Sequence, residues 1–150
     1  MSLLTDIIFV KALRSNAELI EQLPAGDVYN TTIPVPDEEV ENADVPYIIV
    51  SFDGLNNMDT TKDDAFEAET DNVTIGIECA ARTRPELGEL LTAVRTTIRE
   101  YFREHYGDDS DEDYALIPND ITLSAQSVMY NDMKPCYWQT LTYQCDTDID

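Results

Sequence analysis

The side chains best suited to chemistry are the carboxylates of Asp109-Ser-Asp111-Glu-Asp113. Counted from Asp109, acidic residues fall at positions one, three and five, with Asp120 at position twelve, as a calcium loop would present its oxygens. Three features oppose that reading. The sixth position, where the turn needs glycine, is Tyr114; the twelfth is Asp rather than Glu; and Ile117-Pro118 interrupts the loop. An exposed acidic loop is the expectation, with no metal site. His105, the sole histidine, falls in the last turn of a helix, where a cation suits the dipole. Catalysis would need a nucleophile or an orienting carboxylate aimed at it, and the sequence signals neither. Neither Gly-x-x-x-x-Gly-Lys nor His-Glu-x-x-His occurs. Cys79, Cys136 and Cys145 are odd in number and lack zinc or redox spacing, so they read as reduced core residues. The chain is therefore expected not to be an enzyme and to need no cofactor.

Two other groups of residues suit binding between proteins. Trp138, with Val128 and Tyr130, forms one candidate subunit interface. Its alternative is ordinary core under a helix. Arg95, Arg99 and Arg103 form the second, because three arginines in an acidic chain could meet a neighbour's acidic loop. Their alternative is pairing with Glu100 and Glu104, or plain solvation.

The elements that position these residues follow from periodicity. Residues 3–22 read as a helix with Ser2 as N-cap, Asp6 in the first turn, and Leu4, Ile7, Ile8, Lys11 and Ser15 along one side. Pro24 and Gly26 stop it. Residues 27–33 read as a short strand, 34–45 as an acidic loop, 46–52 as an internal strand and 53–65 as a polar loop. Across 66–81, Val73, Ile75, Ile77, Cys79 and Ala81 alternate with Thr74, Gly76, Glu78 and Ala80, a strand with one buried face. Thr83-Arg84-Pro85-Glu86 is a capping box with proline in the first turn. Leu87, Leu90, Leu91, Val94, Ile98, Tyr101 and Phe102 then recur at helical steps until Gly107. An acidic loop at 108–113 leads to strands 119–130 and 136–146, joined by a loop at 131–135.

The last two strands can be placed in register. With Tyr130 opposite Cys136, the pairs Met129–Tyr137, Ala125–Leu141, Leu123–Tyr143 and Ile121–Cys145 share one apolar face. Val128–Trp138, Gln126–Thr140, Ser124–Thr142 and Thr122–Gln144 share a mostly polar one. The fold class expected is α+β: a single domain, 1–150, with a largely antiparallel β-sheet and two α-helices packed on one face.

The 150 residues carry a formal net charge of −22. That opposes direct binding to phosphates or to an anionic membrane surface, and it keeps the protein soluble. The apolar N-terminus is punctuated by Asp6, Lys11 and Arg14 and lacks the layout of a signal peptide. No apolar stretch is long enough to span a membrane.

The order of elements resembles the tail-terminator and tail-completion proteins of long-tailed double-stranded DNA bacteriophages. It runs from an N-terminal helix to Gly-Asp-Val-Tyr (26–29), then through a proline-containing loop to Val-Pro-Tyr-Ile-Ile-Val (45–50). Val-Thr-Ile-Gly-Ile-Glu (73–78), the helix at 83–106 and the hairpin at 119–146 complete it. The resemblance spans nearly the whole chain. It implies a virion protein that assembles in the host cytoplasm into a homo-oligomeric ring, usually a hexamer, at the head–tail junction. Such a ring caps the tail tube, docks to head-completion proteins and lets DNA through its lumen without sequence-specific binding. The chain departs from the family in its acidity and in its longer loops at 34–45 and 53–72. A head-completion connector is the nearest alternative. An acidic DNA mimic that inhibits a host DNA-binding protein is an alternative of another class, as is a metal-dependent hydrolase.

Overall fold

A computed structural model describes residues 2–31, 45–57, 70–105 and 119–148. A 3-10 turn at Ser2–Leu4 leads into α1 (Thr5–Arg14) and α2 (Ala17–Glu21). Strands β1 (Tyr29–Asn30), β2 (Tyr47–Asn56) and β3 (Thr70–Ala81) follow. The long helix α3 (Arg84–His105) precedes β4 (Asn119–Ala125), β5 (Met129–Asn131) and β6 (Cys136–Asp148). The sheet order is β1-β2-β3-β6-β4, with β5 also on β6. All pairings are antiparallel except β1 with β2. This is the α+β class expected from the periodicities.

The core lies between the sheet and helices α1 and α3. Val73, Ile75, Ile77 and Cys79 of β3 are fully buried, and α3 sets Leu87, Leu90, Leu91, Val94, Ile98 and Phe102 against the same cluster. Phe9 of α1 joins the layers. Its ring meets Phe102 edge-on at 5.1 Å between centroids and Tyr143 of β6 at 5.3 Å. The α3 entry is as expected: Thr83 Oγ1 accepts a hydrogen bond from the Glu86 N–H at 3.3 Å.

The N-terminal helix differs from the expectation in three ways. It breaks at Ser15 and Asn16 rather than continuing to residue 22. The Asn16 side chain caps α2 by accepting from the Leu19 N–H at 3.3 Å, while Ser15 Oγ donates back to the Ala12 carbonyl at 2.6 Å. Short polar side chains thus satisfy the backbone locally and make a break cheap. The cap position of α1 is Leu4, without a side-chain bond, not Ser2. The buried side runs through Thr5, Ile8, Phe9, Ala12 and Leu13, whereas Leu4 and Ile7 are exposed. Asp6 is buried and accepts from Asn30 Nδ2 at 3.0 Å, which ties the helix to β1.

The strands differ in extent. β1 is two residues long, with Thr31 at φ 75° just after it. β2 runs on through Asp53, Gly54, Leu55 and Asn56, where a loop is expected. A bulge between Phe52 and Gly54 preserves pairing to β3 as far as Asn56↔Asn72. The expected acidic loops, the calcium-like segment up to Pro118 and Gly107 lie outside the described residues.

The final hairpin follows the expected register in its middle. Thr122↔Gln144, Leu123↔Tyr143, Ser124↔Thr142 and Ala125↔Leu141 all pair, and the Gln126 N–H donates to Thr140 O at 3.0 Å. At the tip the register slips by one. Met129 pairs with Trp138, Tyr130 with Tyr137 and Asn131 with Cys136, so Val128–Trp138, Met129–Tyr137 and Tyr130–Cys136 are corrected. One extra residue is taken up across 126–128, which turns every later side chain of that strand to the other face. A second shift, between Asn119 and Thr122, leaves Ile121 without its expected Cys145 pairing.

Candidate functional site

The register slip decides what becomes of the first candidate interface. Val128, Tyr130 and Trp138 do not come together. Val128 packs against the main core, on the helix side of the sheet. Tyr130 faces Tyr137 with ring centroids 5.0 Å apart. Trp138 pairs with Ala80 on the opposite face and rests on a small cluster of Val45, Ala80 and Cys136, beside Tyr47. The same face carries an ordered polar contact: the Tyr47 hydroxyl donates to Glu78 Oε2 at 2.9 Å. Burial, then the Glu78 charge, raises the Tyr47 phenol above its ordinary value.

The arginines hold their places on one side of α3, spaced four residues apart over two helical turns. Arg95 and Arg99 rim a cleft of about 300 Å³ between α3 and the edge strand β4. Its floor is apolar: Ile98 and Phe102 from the helix, Ile121 and Leu123 from β4, and Tyr143 from β6. β4 is the last strand of the sheet path on that side, so the cleft lies at the sheet edge. Arg103 stands one turn further along and is exposed. Among the described residues neither Glu100 nor Glu104 forms an ion pair with these arginines, whereas Arg14 pairs with Asp27 at 2.9 Å. Burial pushes the Tyr143 hydroxyl up to about 12, and the Arg95 charge works against that rise.

Ile121, Leu123 and Tyr143 were legible as an apolar stripe of the hairpin but not as a cleft floor. Tyr143 is buried there, and Ile121 and Leu123 are half-buried.

His105 and the three cysteines make local contacts. His105 Nδ1–H donates to the Tyr101 carbonyl at 2.8 Å, and the two rings stack at 4.1 Å. The three cysteines are free and buried. Among the described residues, no three His, Cys, Asp or Glu side chains gather as a metal site. No described helix is long and apolar enough to cross a membrane. The described residues present a positively rimmed apolar cleft on an acidic molecule.

No protein-family model matches this chain, and no curated protein matches it in sequence.

Proposed function

We propose that this chain is a virion structural protein, a tail-terminator or tail-completion subunit of a long-tailed bacteriophage that works as a homo-oligomeric ring. The ring would cap the tail tube, join it to head-completion proteins and pass DNA through its lumen. The observation that carries the reading is the order of elements across nearly the whole chain, from the N-terminal helix through Val-Pro-Tyr-Ile-Ile-Val and Val-Thr-Ile-Gly-Ile-Glu to the closing hairpin. The arginine-rimmed cleft supports it, because a subunit of net charge −22 needs local positive charge to bring copies together. A head-completion connector would use the same kind of surface one position along the particle.

The same acidity favours a second reading, a DNA mimic that occupies the basic groove of a host protein. Light scattering on a sizing column, across protein concentration, separates the two. The ring reading expects about six chains of 17.0 kDa, roughly 100 kDa in all. A strict monomer that captures a basic host protein, and releases it steeply with salt, would contradict it in favour of mimicry.

A further inference from the structure

Among the described residues, two apolar features face outward at opposite ends of β6. One is the cleft over Ile98, Phe102, Ile121, Leu123 and Tyr143. The other is the tip of the β5–β6 hairpin. Met133 is 76% exposed, Tyr130 50% and Met129 48%. Asn131 Oδ1 accepts from the backbone N–H of Met133 at 3.0 Å and of Lys134 at 3.4 Å, a side-chain turn that presents Met133 outward. That turn shapes the tip in the absence of a partner, which lowers the entropic cost of docking.

The tip cannot fill the cleft of its own copy. Cys136 at the tip and Tyr143 at the cleft lie on the same strand, seven residues apart, or roughly 24 Å. β3 pairs with β6 continuously through that stretch, so the strand cannot fold back.

We propose that the hairpin tip of one copy seats in the arginine-rimmed cleft of the next. This rests on the self-assembly reading above and assigns its contact. Met133 supplies a flexible thioether for a floor that includes Phe102 and Tyr143. Asp132 brings a carboxylate to Arg95 and Arg99, which have no carboxylate partner among the described residues. The contact is head-to-tail. Two clefts placed face to face would oppose arginine to arginine, so a two-fold contact of cleft against cleft is disfavoured. A repeated head-to-tail contact closes into a ring or runs on as a filament.

The test uses two variants of the full chain, Met133→Glu at the tip and Arg95→Glu with Arg99→Glu at the cleft. Arg82→Glu with Arg84→Glu is the control, carrying the same charge change as the cleft variant at exposed sites off the cleft. Light scattering should show each tip or cleft variant needing at least about tenfold more protein to assemble. The control should assemble as the wild type does. An equal mixture of tip and cleft variants should give a pair of chains and nothing larger, because it contains one intact tip–cleft combination. Wild-type assembly that neither variant alters would overturn this inference and leave the ring reading standing. A wild type that stays monomeric at every concentration would overturn both. Unchanged mass with cleft substitutions that lower thermal stability would assign the cleft to a segment of its own copy, and would also overturn it.

Discussion

Replacing Phe9 with alanine should lower the free energy of unfolding by about 3–5 kcal/mol. Phe9 is fully buried and is the point where α1, α3 and β6 meet, through its contacts with Phe102 and Tyr143. Truncation would remove its apolar burial, leave a cavity between rigid layers, and break an edge-on aromatic pair that adds about 0.5–1.5 kcal/mol beyond burial. Domains of this size hold about 5–15 kcal/mol in total, so the loss is a large fraction of the whole. Urea titration followed by circular dichroism would measure it. A change below about 1 kcal/mol would mean that α1 does not pack on the sheet as described.

The second large effect concerns alkaline pH. Three buried acids that are neutral when protonated, Cys79, Tyr143 and Cys145, sit in the core, with the half-buried Tyr47 beside it. Burial pushes Cys145 up to about 12, helped by the neighbouring Asp146, and pushes Tyr143 to about 12 against the pull of Arg95. Cys79 and Tyr47 are also raised, by burial first and then by the Glu78 carboxylate. The ordinary values are 9.0 for the thiols and 10.0 for the phenols. Below those values both folded and unfolded chains hold the protons, and the stability is fully present. Above them the unfolded chain loses protons that the folded chain keeps, so stability falls as pH rises towards the folded values. Each such group removes about 1.4 kcal/mol per pH unit, less for the partly exposed Tyr47. Together they should unfold the protein cooperatively between roughly pH 10 and 11.5. Cys145→Val should move the midpoint upward. A far-ultraviolet spectrum unchanged to pH 12 would contradict the burial assigned to these groups.

The parts of this fold that were legible in the sequence are those fixed by local chemistry. Helix α3 announced itself through Thr83, Pro85 and Glu86 and a continuous apolar stripe; its start is as read, and its buried face differs in taking in Thr97 and leaving Tyr101 partly exposed. The alternation from Val73 to Cys79 named the central strand, because a strand under two helices must bury one face along its length. The failures arise where one residue changes the geometry. Asn16 caps a second helix in place of continuing the first. The bulge after Phe52 lets polar residues stay in β2, held there by β3. The extra residue at 126–128 carries Tyr130 to the helix side and leaves Trp138 with Met129, so the expected Trp138, Val128 and Tyr130 cluster does not form. Periodicity cannot reveal such an insertion, because each half of the hairpin alternates correctly by itself.

The candidate site shows the same division. Arg95, Arg99 and Arg103 were readable as one helical face by their spacing alone. That Arg95 and Arg99 stand over an apolar cleft was not readable, because the cleft depends on β4 being the last strand beyond β6. The exposed tip was likewise hidden. Met133 falls in the expected loop, and only the Asn131 turn shows it presented outward.

Under the proposed function, copies of this chain form closed rings. Electron microscopy of the purified 150-residue chain at high concentration tests this most directly. Annular particles of uniform subunit number, around an open centre wide enough to pass duplex DNA, are expected. A field of single subunits or two-fold dimers, with no annuli at any concentration, would contradict it.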